Sequence, residues 1–576
     1  MEEHLIESIL IADCGATTTR VVLLDIVNGQ YRFVSAGQAL TTAEPPWSDT
    51  TVGLVRAVAE VEAITGRRLI GENGRLRVPS ERLGTGIDLF LATTSAAAPL
   101  RTVLAGLVED LSLASAQRVA LSTYTIIQDT LSLKDRRSDE ERIHQLVALA
   151  PDLFLVTGGT DGGATNTVLQ MVETIAAAIP LMSHRSNPPT VVFAGNAELR
   201  SKVAEILNGC QYRTAANVRP KAEIECLAPA QAEVVAVLKD NQFIDLPGGR
   251  ELSGLCQGTL IPTAQAFGWT VSYLGEALET NIVGVDVGSA SVTMGTYVDG
   301  ASQLIVRSDL GIGYHLPRLL EEIGAQQVLR WHPADLAPDA AADYAGHKSL
   351  LPQTLPMTSD DLLMELAFAR ELVHRLQLAA FPSRFITSGD GLAPRIGMIL
   401  AAGAVLAHTP RPGQAALVLL DSLQPIGLCT LALDPHGLAS ALGACARISP
   451  VAAVQVIDSG AFRELGSVVA PTGKANPGQV VLQLIMSYEN GSKLEVEVEY
   501  GSLEVLPLAP GQHADLSLQP LKRFDVGEGP GRSCRRRVYG GAVGLMVDAR
   551  GRPLRLPSSP EDRRAKIQQW LWDMGG

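Results

Sequence analysis

The chain has no Cys-x-x-Cys pair. Its seven cysteines (14, 210, 226, 256, 429, 445 and 534) are scattered and odd in number. That supports neither a zinc site nor a disulfide framework, and it fits a reducing compartment. Long apolar runs are also missing: the best, GMILAAGAVLA at 397–407, falls short of the ~20 residues that span a bilayer. The first ten residues, MEEHLIESIL, are acidic where a secretory signal is basic. The expectation is a cytoplasmic protein with no membrane segment. A basic surplus is lacking too, with 47 Lys and Arg against 61 Asp and Glu and a formal charge of −14, which argues against nucleic acid as a partner. The local exception, RSCRRR at 532–537, reads as a solvated turn beside a glycine-rich loop. No P-loop is present, since Gly473-Lys474 is followed by Ala475. No H-E-x-x-H, G-x-S-x-G or intact G-x-G-x-x-G occurs. The ten histidines show no metal-ligand spacing, and His315, His332, His408 and His436 read as surface or turn residues.

What is present is bulk and repetition. A chain of 576 residues exceeds the ~250–300 residues at which one core stops growing, so three or four domains are expected. Residues 7–36 run as an apolar strand ending at Asp13, a small polar turn, a second apolar strand, and Asn28-Gly29. Asn-Gly between apolar runs marks a type I′ hairpin, because both residues tolerate positive φ. The pattern returns at 282–307, where Asp286 takes the place of Asp13 and Asp299-Gly300 supplies the hairpin. A second pair follows in the same order. Residues 151–170 (PDLFLVTGGTDGGATNTVLQ) and 383–406 (SRFITSGDGLAPRIGMILAAGAVL) each read as strand, glycine turn and helix. Two patterns repeated in register mean two related lobes. Residues 189–196 read as a buried strand with a helix over 197–207, and residues 49–64 and 359–379 as amphipathic helices. After Pro450 the alternating stretch 480–508 reads as a small β-sandwich or barrel closed by a helix near 560–572. The expected domains are 1–280, 281–455 and 456–576.

The first turns carry the chemistry. Gly15, Ala16, Thr17 and Thr18 follow Asp13, and Gly288, Ser289 and Ala290 follow Asp286. Small residues let backbone N–H groups converge on an anion, and hydroxyls add donors. A carboxylate would repel phosphate unless it faced a cation, so Asp13 and Asp286 are candidate Mg²⁺ partners through water and candidate catalytic groups. Either turn alone reads equally as a tight hairpin entry with an aspartate capping its own turn. The pair in register points to the β- and γ-phosphates held between lobes. Gly158 and Gly159 in one glycine turn, and Gly389, Asp390 and Gly391 in the other, would let a base or ribose lie against the backbone, or would be plain strand-to-helix connections.

DCGATTTRVVLLD (13–25) and VDVGSASVTM (285–294) resemble the two phosphate motifs of the superfamily of actin, sugar kinases and the 70-kDa heat-shock chaperones. Residues 92–108, 154–169, 191–196, 217–220 and 309–316 narrow the resemblance to the MutL/GlmL proteins associated with glutamate mutase. It covers about residues 7–450, and the C-terminal segment is similar to that of the longer members. It implies an α/β fold of two duplicated actin-like (ribonuclease-H-like) lobes around a nucleotide cleft, with a C-terminal β-rich domain. It further implies ATP or ADP with Mg²⁺, a cobalamin-dependent mutase as protein partner, and a chaperone or reactivating role with weak ATPase activity; a homo-oligomer stays open. Two positions depart from the family pattern. Cys14 replaces an aliphatic residue, and Thr293 stands seven positions after Asp286 where the family has a second aspartate. The latter leaves a non-catalytic scaffold open beside the accessory ATPase, as does a small-molecule kinase or a hydantoinase-like hydrolase.

Overall fold

The computed structural model describes residues 6–80, 84–182, 187–381, 395–521 and 523–575. Strands β1 (Ser8–Cys14), β2 (Thr18–Val27) and β3 (Gln30–Leu40) form the expected antiparallel meander. Asn28 (φ 53°) and Gly29 (φ 79°) make the type I′ turn that the dipeptide demands. Helix Thr50–Thr65 packs Leu54, Val58 and Val61 against this sheet. Strand β4 (Leu89–Thr94) then returns parallel to β1.

The chain next leaves the lobe to build a second, wholly parallel sheet. Its strands are β5 (Leu100–Ala105), β6 (Thr125–Leu131), β7 (Leu153–Val156), β8 (Thr190–Phe193) and β9 (Gln211–Thr214), in the order β6-β5-β7-β8-β9. Burial on both faces explains the near-continuous apolar runs of the central strands β5, β7 and β8. The chain rejoins the first lobe at β10 (Ile261–Pro262), parallel to β4, and enters helix Thr263–Ala277.

The second lobe repeats the first. Strands β11 (Ile282–Val287), β12 (Val292–Val298) and β13 (Ala301–Arg307) form the meander around Asp299 (φ 52°) and Gly300 (φ 80°). Strands β14 (Met398–Ala402) and β15 (Gly427–Leu433) add in parallel, and helix Leu438–Ala446 follows. The orders β3-β2-β1-β4-β10 and β13-β12-β11-β14-β15 are therefore equivalent. The two lobes of the expected fold class are present. They meet where the two closing helices cross: a Cβ on Gly443 would lie 1.9 Å from the Ala266 carbonyl oxygen, and Thr270 donates to the Ala439 carbonyl at 2.6 Å. The helix expected over 359–379 is Ser359–Ala380, largely buried in the second lobe's core.

Three expectations need correction. The second repeat pairs β14 with β4, not with the strand at 151–170: that strand is β7, in the inserted sheet. A strand, glycine turn and helix is the unit of any parallel sheet, so the pattern could not say which sheet it belonged to. Residues 398–402, read as part of a helix, are a strand; an apolar run this short fits either period. The C-terminal region is β-rich as expected, yet 456 is not a boundary in the packing. Strand β16 (Arg463–Ala470) pairs with β15 and extends the second lobe's sheet. Strands β17 (Val480–Tyr488), β18 (Lys493–Glu499), β20 (His513–Pro520) and β21 (Cys534–Tyr539) make a separate four-stranded sheet, while β19 (Leu503–Leu506) and β22 (Leu545–Asp548) return to the long one, giving it eight strands. Helix Pro560–Asp573 inserts Ile567, Trp570 and Leu571 into the second lobe's core.

A buried ion network locks this junction. Arg550, 1% exposed, donates to Asp421 at 2.8 Å and Asp548 at 2.9 Å. Arg370 holds the other Asp421 oxygen, and Arg552 also holds Asp548. The arginines of 532–537 lie mainly on β21, an edge strand rather than a turn, where Arg537 pairs with Asp515; charge on an edge discourages strand addition. Among the described residues no helix is long and apolar enough to cross a membrane.

Candidate functional site

Asp13 ends β1 beside Arg20 of β2 and Thr93 of β4. Its Oδ1 accepts hydrogen bonds from the hydroxyls of Thr93 at 2.8 Å and Thr263 at 2.6 Å, leaving Oδ2 with no bond from a described residue. Burial lifts its carboxyl above the ordinary value, while the two hydroxyls and the Arg20 charge act the other way. Asp286 holds the equivalent place on β11, opposite Thr293. It accepts no hydrogen bond from a described residue. Burial first, and then the Asp13 charge, push it up to about 7.

The turns that follow are superimposable in their bonding. Gly15 N–H donates to the Thr18 carbonyl at 3.1 Å, and Gly288 N–H to the Ser291 carbonyl at 3.0 Å. A Cβ at Gly15 would come within 2.7 Å of Thr18 O, and one at Gly288 within 2.9 Å of Ser291 O, so both turns exclude a side chain there. Across the lobes, Thr17 Oγ1 donates to Ser289 Oγ at 2.6 Å. Ala16, Thr18 and Ala290 are half-buried at the same junction.

Four further residues complete the site and were not picked out from the sequence. Thr93 and Thr263 orient Asp13. Asp434, just after β15, accepts N–H bonds from His436, Leu438 and Ala439, which fixes it at the start of helix Leu438–Ala446. Burial raises its carboxyl, against those bonds and the Arg20 charge. Arg20 is the fourth. Its charge acts on Asp13, Asp286 and Asp434 alike, and its side chain passes 3.5 Å from where a Gly437 side chain would begin. It makes no hydrogen bond or ion pair with a described residue. Three carboxylates from two lobes thus surround one uncommitted guanidinium. A signal for Arg20 existed: it stands seven positions after Asp13, as Thr293 does after Asp286. His408 is exposed, as its reading as a surface or turn residue expected, and partial desolvation and the neighbouring Arg20 and His436 disfavour its charged form.

The glycine turns fare differently. Tyr124, just before β6, accepts the Ala264 N–H and feels the charges of Asp13 and Asp286, so the start of the inserted sheet faces the site. Gly158 and Gly159 lie past the other end of that sheet, roughly 20 Å along the strands at ~3.3 Å per residue. The structure does not bring them to Asp13 and Asp286. Gly389, Asp390 and Gly391 lie outside the described residues. Glycines that do stand beside the second phosphate-type turn include Gly403, after β14, with a φ of 91° and a Cβ that would meet Val287 O at 2.2 Å, and Gly311, whose Cβ would meet Ser289 O at 2.4 Å. Cys14 is buried, which pushes its thiol well above the ordinary range and makes it unreactive.

Among the described residues no three His, Cys, Asp or Glu are grouped to hold a metal ion. The carboxylate oxygens of Asp13 and Asp286 nevertheless suit a hard cation that keeps most of its water, as Mg²⁺ does when it binds through phosphate oxygens.

The family description "MutL protein" matches residues 9–460. The chain belongs to the MutL protein family. It is 24% identical over 442 residues to "Protein MutL" of Clostridium tetanomorphum, covering 71% of this chain and 88% of that one. Solved structures found similar include a nucleotide-free acetone carboxylase (12% identity, 86% of this chain and 81% of the other, TM-score 0.34). A gluconate kinase from Lactobacillus acidophilus is another (11% identity, 80% and 92%, TM-score 0.32).

Proposed function

We propose that this MutL-family protein is an accessory protein that binds ATP or ADP between its lobes. The observation that carries the reading is the meeting of two equivalent turns, at Thr17 and Ser289, directly over Asp13, Asp286, Asp434 and Arg20. Backbone N–H groups and hydroxyls of 15–18 and 288–291 receive the β- and γ-phosphates, one turn from each lobe. Arg20 supplies the positive charge that the three carboxylates alone would deny a phosphate chain. Asp13 and Asp286 would hold a hydrated Mg²⁺, which would neutralise phosphate charge. Thr93 and Thr263 hold Asp13 so that its free oxygen faces the same space.

Turnover in this reading is slow and stimulated by a partner, because catalysis of phosphoryl transfer rests on positioning and electrostatics. The partner we propose is a cobalamin-dependent mutase of the glutamate mutase type, following the sequence resemblance, with lobe rotation about the helix crossing as the coupling motion. One observation favours a second reading, a binding scaffold without chemistry. Thr293, buried at 3% exposure, faces Asp286 where the family pattern has a second carboxylate.

Calorimetric titration of MgATP into wild type and Arg20→Ala tests the site. One charge-assisted contact is worth about 1.5–3 kcal/mol, so the variant should bind ~10- to 100-fold more weakly. Phosphate release with and without a mutase then separates ATPase from scaffold. A folded wild-type protein that binds no nucleotide ends the proposal.

A further inference from the structure

One cavity lies away from the lobe junction. It measures about 480 Å³ and lies on the outer side of the second lobe, between helices Ser359–Ala380 and Pro412–Leu423 and the segment 553–563. One wall is apolar, made by Trp331, Leu554, Leu556 and the prolines 553 and 557. Arg330, Arg370 and Arg563 also line the cavity, the first two with their guanidinium groups over the Trp331 ring at 5.1 and 5.6 Å.

The charges there do not cancel. Glu371 takes up Arg330 at 2.6 Å, and Asp421 is shared by Arg370 and Arg550. Asp548, the remaining carboxylate of the network, is shared by Arg550 and Arg552. Arg563 has no hydrogen bond or ion pair from its side chain to a described residue, and the buried Arg330 Nε has no partner either. Glu561 and Asp562, on the same turn as Arg563, are exposed and do not line the cavity. This local surplus of guanidinium, reached by solvent at Arg330 (32% exposed) and at the half-exposed Arg563, stands in a chain of net charge −14 and suits an anion. The volume is that of an ordinary small-molecule site.

We propose that this cavity binds a small monocarboxylate with a short apolar stem, its oxyanion on Arg563 and Arg330 and its stem against Leu554, Leu556 and Trp331. One uncommitted guanidinium matches one negative charge, and the apolar wall sets a preference for a hydrocarbon chain over a hydrated ion. The site is separate from the lobe junction and does not depend on the nucleotide reading. Part of its wall is the segment leading into helix Pro560–Asp573, so occupancy fastens the C-terminus to the second lobe.

The test is calorimetric titration of the straight-chain carboxylates from acetate to octanoate, with inorganic phosphate as a probe lacking a stem. The expected result is saturable one-to-one binding that tightens ~3- to 4-fold per methylene until the cavity is full. Arg563→Gln, a half-exposed position in the first helical turn, should weaken binding at least ten-fold. Arg563→Lys should restore part of it, and Arg20→Ala should leave it unchanged. Binding that ignores Arg563→Gln, that shows no chain-length dependence, or that follows Arg20→Ala overturns the proposal. So does an absence of saturable binding by the folded wild type.

Discussion

Asp286 offers the sharpest quantitative test of the lobe junction. Its carboxyl stands at about 7 instead of 3.8 because burial, then the Asp13 charge, outweigh the pull of Arg20, with Asp434 adding to the rise. A carboxyl whose folded value lies above its unfolded value keeps a proton that the unfolded chain has released. Its contribution to stability is therefore fully present below about pH 4 and is lost as pH rises through about 7. Above that window the ionised group costs up to about 4 kcal/mol, at 1.36 kcal/mol per pH unit of displacement, and about 2–4 kcal/mol allowing for partial contact with solvent. Asp286→Asn cannot ionise. Without nucleotide, the variant should exceed wild type by that amount at pH 8, and the gap should narrow steadily below about pH 7 and close only below about pH 4. Urea unfolding of both proteins at intervals across this range measures it. Parallel curves would refute the reasoning, because they would mean that Asp286 is not held against its charge. The same argument requires wild type, but not Asp286→Asn, to release up to about half a proton on binding MgATP near pH 7, read by calorimetry in buffers of different ionisation enthalpy.

Two further predictions concern the frame. Gly443→Ala drives a methyl toward the Ala266 carbonyl, 1.9 Å away, and should cost at least ~1–3 kcal/mol as the crossing helices separate; a wild-type melting temperature with wild-type nucleotide affinity would show that the crossing is not tight. Arg550→Met leaves Asp421 and Asp548 as buried charges short of a partner and should cost about 3–5 kcal/mol at neutral pH. Burial would raise Asp548, but the charges of Arg550 and Arg552 prevail and hold its carboxyl far below the ordinary range. Its stabilising contribution is present above about pH 4 and fades only as pH falls through that depressed value, so the variant's deficit should shrink in strong acid, as acid-unfolding curves would show.

Local chemistry made much of this protein legible without coordinates. The two turns after Asp13 and Asp286 could be read because Asp-x-Gly recurs with an Asn-Gly or Asp-Gly hairpin soon after, and backbone sterics leave such dipeptides few conformations. The helices Thr50–Thr65 and Ser359–Ala380 could be read from periodicity. The observed Gly15–Thr18 and Gly288–Ser291 bonds match the duplication one for one.

Only the tertiary structure decided what those pieces surround. Residues 151–170 and 383–406 looked like a pair because strand, glycine and helix follow one another in every parallel unit. Which sheet a strand joins depends on hydrogen bonds to strands far away in sequence, and it placed β7 with β5 and β4 with β1. For the same reason β16, β19 and β22 closed onto the second lobe although they fall within 456–576, the span read as a separate domain. Arg20, Thr263 and Asp434 belong to no single motif. They become one site with Asp13 and Asp286 because strand ends from two lobes converge, and convergence is a property of the packed sheets that no local stretch of sequence contains.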